Sequence, residues 1–293
     1  MSVVKELFSS RANGLNIKLF EYDIKDETNF NKIKEYLTNK VKKSKVHNTL
    51  EYDLTYYGSV NLNPEFVKKF NERVAEINIP KKEKSIPHFD VRRERVTEWM
   101  AQIVLEEKYN CKFYEEADKR MNLETVNIDK HTSGIDVPGI MIKDSEVKFV
   151  VCEVKASEDK NIPCSSSKDL MNDIQKSIDN HENRVSREIL QYMHGIRNIK
   201  MDSEEITKIL EFLAKLVVDS QEKSNENLSK NIMFFPVLIR KNDKIVETNN
   251  VNDYKNFKVD RIDKNNVENI ICSLSRSINE FSNDIYNEAI ENG

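Results

Sequence analysis

The segment Phe149-Val150-Val151-Cys152-Glu153-Val154-Lys155-Ala156 constrains this chain more than any other. Its β-branched and apolar residues read as a strand from Lys148 to Ala156. Strand side chains alternate between faces, so Val150, Cys152, Val154 and Ala156 make one apolar side. Glu153 and Lys155 share the other, behind Phe149 and Val151. Two charges at the end of so apolar a strand are costly to bury unless they are paired or hold a metal. An intrastrand pair at a solvated strand end is the plainer alternative.

The flanking sequence supplies further strands and helices. Leu15, Ile17 and Leu19 alternate as a strand, and Phe30, Ile33, Tyr36 and Leu37 recur at helical spacing. Asn63-Pro64 reads as the start of a helix with an apolar stripe of Phe66, Val67, Phe70 and Val74. The polar run from Pro80 to Pro87 reads as a linker. It divides a small N-terminal α/β region, residues 1–84, from a larger unit, residues 85–293.

Beyond it, Val96, Trp99, Met100, Ile103 and Val104 mark a helix from Arg92 to Lys108, followed by a short strand from Cys111 to Tyr114. The apolar run Ile140 to Ile142 and a turn at Lys143-Asp144-Ser145-Glu146 lead into the Glu153 strand. Two helices follow, one carrying Leu170, Ile174 and Ile178, the other Val185, Ile189 and Met193. Asp202 with Glu205 resembles a capping box opening a helix through Val218, and Ile232 to Ile239 is a further buried strand. This order predicts an α/β fold, a mixed sheet flanked by helices. Near the end, Val267, Ile271, Leu274, Ile278, Phe281 and Ile285 recur at spacings of four and three. They predict one C-terminal helix, covering the chain's own core or docking on another helix.

Composition excludes little. With 46 Lys+Arg against 50 Asp+Glu, the whole-molecule field does not attract nucleic acid, so such a partner needs a local basic face. Candidates are Lys40, Lys42, Lys43 and Lys45, then Lys81, Lys82 and Lys84, then Arg92, Arg93 and Arg95; each group also reads as a solvated face. Cys111, Cys152, Cys164 and Cys272 form no Cys-x-x-Cys pair, which suggests reduced thiols in a cytoplasmic protein. The first residues lack a signal peptide's apolar run, and no stretch is apolar for long enough to span a bilayer, so no membrane partner is expected.

Upstream of the central strand, Asp136 sits between Gly134 and Gly139 with Pro138 close behind, a composition suited to a tight backbone path. If the segments around Asp136 and Glu153 pair as a hairpin, the two carboxylates converge at one end. They then repel each other unless a divalent cation lies between them. Alternatively, Asp136 caps its own turn. His131 is close enough in sequence to contact a phosphate beside Asp136 or to have no role. His181 and His194 lack partners at metal-ligand spacing. Lys168 opens the helix after the strand, where a basic side chain can reach phosphate.

Asp136 followed after sixteen residues by Glu153-Val154-Lys155 resembles the signature of the PD-(D/E)xK nuclease superfamily, with Ile135 where that signature nominally has proline. The resemblance implies a restriction-endonuclease-like sheet and Mg²⁺, with Mn²⁺ as a substitute, held by Asp136, Glu153 and the backbone carbonyl of Val154. It implies that Lys155 positions or activates the attacking water. It also implies a glutamate from the helix preceding the sheet: Glu98, or Glu94 one turn earlier. Glu98 lies nearly opposite the stripe of Val96, Met100 and Ile103, beside Ala101 and Leu105. A narrower similarity covers the N-terminal α/β part, the Arg93-Glu94-Arg95-Val96-Thr97-Glu98 helix, the Thr132-Ser133-Gly134-Ile135-Asp136 turn and Phe234 to Ile239. Together these resemble the nuclease subunit of Hachiman-type anti-phage defence systems. That implies a DNA-cleaving effector restrained by a helicase partner. From a different class, a non-catalytic DNA- or protein-binding module retaining the fold is the alternative, and an RNA-directed nuclease would use the same metal chemistry.

Overall fold

Strands buried on both faces read as near-continuous apolar runs, and β6 (Ile232–Lys241) is of that kind, while β7 (Glu268–Leu274) is buried at every position around Ile270, Ile271 and Cys272. Together with β5 (Glu146–Ser157) they form the parallel centre of a mixed sheet. The computed structural model describes residues 2–48, 65–66, 69, 86–118, 134–143, 146–179, 181–197, 199, 204–219, 230–241, 250–254, 257–259 and 262–291. Among these, four further strands complete the sheet: β1 (Val4–Ala12), β2 (Leu15–Tyr22), β3 (Cys111–Lys112) and β4 (Val137–Lys143). The order across the sheet is β1-β2-β7-β6-β5-β4-β3. The N-terminal strands thus join the central sheet, because β2 pairs in parallel with β7.

Among the described residues, six α-helices cover it, three on each face. On one side lie α1 (Glu27–Asn48), α2 (Ile86–Tyr109) and α6 (Ile278–Glu291), packed on Val150, Cys152, Val154, Phe235 and Val237. On the other lie α3 (Ser165–Asp179), α4 (Ser186–Ile196) and α5 (Glu204–Asp219), packed on Phe149, Val151, Phe234 and Leu238. The α/β architecture expected from the sequence, a mixed sheet between helices, is therefore the observed one. No helix among the described residues is long and apolar enough to cross a membrane.

Pro236 lies inside a central strand, where it cannot donate to a ladder. The β6–β7 pairing is broken beside it, running from an isolated bridge at Phe234↔Val267 to regular pairing from Val237↔Ile270. The buried Tyr254 hydroxyl fills the gap, 3.1 Å from both the Pro236 and the Ile270 carbonyl oxygens. Its single proton can be donated to one of these carbonyls at a time.

The single C-terminal helix is corrected. Val267, Ile271 and Leu274 belong to or flank strand β7, and only Ile278, Phe281 and Ile285 lie on helix α6. The four-and-three spacing is coincidental there. Three consecutive apolar residues, Ile270, Ile271 and Cys272, are what a strand covered on both faces needs. The chain turns at Ser275-Arg276-Ser277, and Glu158, just past the end of β5, caps the new helix. Its Oε1 accepts from Ser277 Oγ at 2.9 Å, the Ile278 amide at 2.7 Å and the Asn279 amide at 3.2 Å. The strand from Cys111 is also shorter than expected, ending at Lys112. Most of the expected helix after Asn63, most of the Pro80–Pro87 linker, and Asp202 of the expected capping box lie outside the described residues.

Candidate active site

The site forms where strand β4 stops and β5 continues. Antiparallel pairing sets Val137 opposite Cys152, so Asp136 leaves the ladder opposite Glu153. Residues opposite each other in such a pair share a face. Asp136 reaches across the vacated edge, where its Oδ2 accepts a hydrogen bond from the Val154 amide at 2.8 Å. The N–H and C=O of one strand residue point to the same edge, so the Val154 carbonyl also faces the space that β4 no longer fills. The hairpin read from the sequence thus brings Asp136, Glu153 and Val154 together.

Two glycines shape the approach. Gly134 has φ +130°, a conformation that side chains rarely adopt. A Cβ on Gly139 would come within 2.5 Å of the Phe113 ring, so β4 can lie against that ring only without a side chain here.

Glu153 is 2% exposed and is held from the α3 side. Its Oε1 accepts from Arg184 Nη2 at 2.9 Å and from the Ser177 hydroxyl at 3.2 Å. Burial pushes its pKa up, and the neighbouring Asp136 charge adds to this; Arg184 and Ser177 oppose the rise without cancelling it, leaving Glu153 at about 8. Lys155 Nζ lies 3.1 Å from Asp173 Oδ2 on α3. Burial pulls the Lys155 pKa down, but the Asp173 hydrogen bond and the charges of Asp136, Asp173 and Glu153 outweigh it, and the ammonium is favoured. Asp173 is bridged in turn by Lys176 at 2.9 Å. Its carboxyl is held below the usual range, because these lysines outweigh the opposing effect of burial.

Lys155 opens into a cleft of about 450 Å³, shared with Arg93, Glu94 and Thr97 of α2 and Asp169, Asn172 and Lys176 of α3. Asp136 lines a small neighbouring pocket with Gln102 and Lys40. Glu94, Glu98 and Gln102 are four residues apart on α2 and so form one stripe. Glu94 therefore faces the cleft, and Glu98 sits between the two openings, 5% exposed. The Cys152 thiol reports the same neighbourhood: burial raises its pKa first, followed by Asp136 and Glu153, then Cys111 and Glu98.

The donor set is hard oxygen: two carboxylates and a backbone carbonyl. It fits a divalent cation bound with open positions, because oxygen ligands and unfilled sites suit Mg²⁺. Among the described residues no group of three or more His, Cys, Asp or Glu side chains could hold a metal. A cation here would thus rest on Asp136, Glu153 and Val154. Their second carboxylate oxygens, Asp136 Oδ1 and Glu153 Oε2, make no hydrogen bond among the described residues.

The other expectations fall out unevenly. Lys40 and Lys43 pair with Glu115, and Arg92 and Arg95 are buried beside α6, so of that arginine trio Arg93 is the one at the cleft. Lys168 is exposed on the first turn of α3 and lines a separate cleft of about 580 Å³ with Lys258. His194 Nδ1 lies 3.1 Å from exposed Arg197, away from these groups. His131, the Lys81–Lys84 cluster and the side chains of Lys45 and His181 lie outside the described residues. Sequence reasoning missed Arg184, Asp173 and Ser177. The four-residue spacing of Asp173 and Ser177 places them on one helix face, but nothing local ties that face to Glu153 and Lys155.

A pH-dependence of stability follows. A carboxyl whose pKa rises on folding binds its proton more tightly in the folded state. The Glu153 contribution is therefore full below about 4.5 and is lost as pH rises toward about 8. In chelator, the wild type should lose stability between pH 5 and pH 8.5 more steeply than Glu153→Gln. The difference should be on the order of 3–5 kcal/mol at most, at about 1.4 kcal/mol per unit. Urea unfolding at both pH values measures it, and identical slopes would show that Glu153 ionises normally in its pocket.

Comparison with known proteins adds no relative to set beside this geometry: no protein-family model matches the chain, and no curated protein matches it.

Proposed function

We propose that the chain is a Mg²⁺-dependent nuclease that hydrolyses DNA phosphodiester bonds. The observation that carries this reading is the meeting of Asp136 and Glu153 where β4 ends, with the Val154 carbonyl on the same edge and the Lys155 ammonium opening into a cleft. Hydrolysis joins a water oxygen to phosphorus and releases one ester oxygen as a hydroxyl. A divalent cation at Asp136, Glu153 and Val154 would polarise the phosphoryl oxygen and lower the pKa of bound water. The chain's own part is to aim its charges. Lys155, kept protonated by Asp173, supplies positive charge where negative charge develops on the phosphate. Lys176 and Arg93 line the same cleft and can bind the flanking phosphates. On the narrower resemblance, we propose that this activity serves an anti-phage defence system, as the effector of a helicase partner.

A second reading is favoured by the ion pairs. Arg184 already compensates Glu153 and Asp173 already compensates Lys155, as in a binding module that keeps the fold without catalysis. Incubating the purified chain with plasmid, linear DNA and RNA in Mg²⁺ or Mn²⁺ separates the two. The assay is run alone and with the product of any helicase gene beside this one. Metal-dependent cleavage of DNA, stopped by chelator, is expected. Binding without cleavage in every arm supports the second reading, and cleavage of RNA alone would move the substrate class.

A further inference from the structure

We infer that Arg184 is the resident counter-cation of the acidic site, and that a divalent cation binding between Asp136 and Glu153 displaces it. The metal in this statement rests on the nuclease reading; the placement of the arginine rests on geometry. Arg184 belongs to a π-helical turn, His181–Val185, between α3 and α4. The wider turn adds a residue to the helical repeat and re-aims the side chains that follow, which is why such turns gather at functional sites. Here Val185 is sunk in the core while Arg184 points at the end of the sheet. Its Nη2 donates at 2.9 Å to Glu153 Oε1 and at 2.9 Å to the carbonyl of Gly134, two residues before Asp136. One guanidinium group thereby joins the Asp136 loop to the Glu153 strand.

Guanidinium cannot shed its proton in a protein, so this positive charge is fixed. With Glu153 2% exposed, solvent screens it little. A divalent cation shared by the same two carboxylates would face that charge at close range. Moving the arginine outward relieves the repulsion. The Arg184 side chain is 23% exposed and so has a route outward, whereas Glu153 has none.

Titrating Mn²⁺ alone into the full chain by calorimetry, without nucleic acid, tests this. Arg184→Gln should bind Mn²⁺ about tenfold more tightly than wild type, and Arg184→Lys, which keeps the charge, within about threefold of it. Equal or weaker binding by Arg184→Gln overturns the inference while leaving the nuclease reading in place. No Mn²⁺ binding by any of the three proteins overturns both. If Arg184→Gln does not fold, a crystal structure of the wild type grown in Mn²⁺ decides. Arg184 beyond hydrogen-bonding reach of Glu153 supports displacement. Mn²⁺ on Asp136 and Glu153 with Arg184 still bonded refutes it, and a crystal without Mn²⁺ there refutes both.

Discussion

Single substitutions of Asp136, Glu153 or Lys155 by alanine are expected to lower metal-dependent DNA cleavage by about three orders of magnitude or more, without unfolding the chain. The three should differ in how they fail. Asp136→Ala and Glu153→Ala remove oxygen donors, so Mn²⁺ binding and cleavage should vanish together. Lys155→Ala leaves the donors in place, so Mn²⁺ should still bind while the rate falls. Folding should survive in each case for a separate reason. Asp136→Ala costs one hydrogen bond to the Val154 amide, about 1 kcal/mol at a strand edge. Glu153→Ala removes a carboxyl that burial and Asp136 already disfavour when charged. Lys155 is 34% exposed, and its loss frees Asp173 to remain with Lys176. Wild-type cleavage rates in any of the three, with circular dichroism showing intact folds, would end the nuclease reading.

The largest effect on stability should come from elsewhere. Arg240 and Asp253 are both 0% exposed and form an ion pair at 2.8 Å. Arg240 Nη2 also donates to the carbonyls of Asp159 at 2.6 Å and Asn161 at 3.1 Å, and Asp253 Oδ1 accepts from the Cys164 amide at 2.9 Å. Together they pin the connection between β5 and α3 onto β6. Removing one partner leaves a buried charge uncompensated, which costs about 3–5 kcal/mol. Asp253→Ala should therefore lower the unfolding free energy by that amount, read as a lower midpoint in urea at unchanged slope. A paired replacement, Arg240→Met with Asp253→Leu, should recover much of the loss, because an apolar pair leaves no stranded charge. Cleavage should fall in Asp253→Ala as well, since α3 carries Asp173 and Ser177 to Lys155 and Glu153. A change below about 1 kcal/mol would mean that solvent reaches Arg240 when its partner is lost.

Much of this architecture was legible because burial leaves a local pattern. Val150, Cys152 and Val154 alternate against Phe149 and Val151, and the structure puts those two sets in opposite cores. Leu170, Ile174 and Ile178 mark α3 for the same reason, since helical periodicity is written into adjacent residues. Where two periods coincide, pattern reading fails. Val267 to Leu274 satisfy a helical spacing as well as a buried strand, and the parallel neighbours β6 and β2 decide for the strand. Arg92 and Arg95 looked available to a polyanion. Their burial depends on α6 packing across α2, with Arg92 bonded to Asn283 at 3.2 Å.

For the site, the sequence by itself determined the chemistry on offer: a carboxylate after a glycine, a short return path, and Glu-x-Lys on one face of a strand. Hairpin pairing is nearly local, so it could be inferred that Asp136 meets Glu153. Only the tertiary structure decided what surrounds them. Arg184 reaches Glu153 from 31 residues further along, and Asp173 reaches Lys155 from a helix on the far side of a loop. It also decided that Glu94 faces the cleft while Glu98 is buried between the openings. Charges act through space while periodicity acts along the chain, so the partners that set ionisation at this site become visible only once the sheet and its helices are assembled.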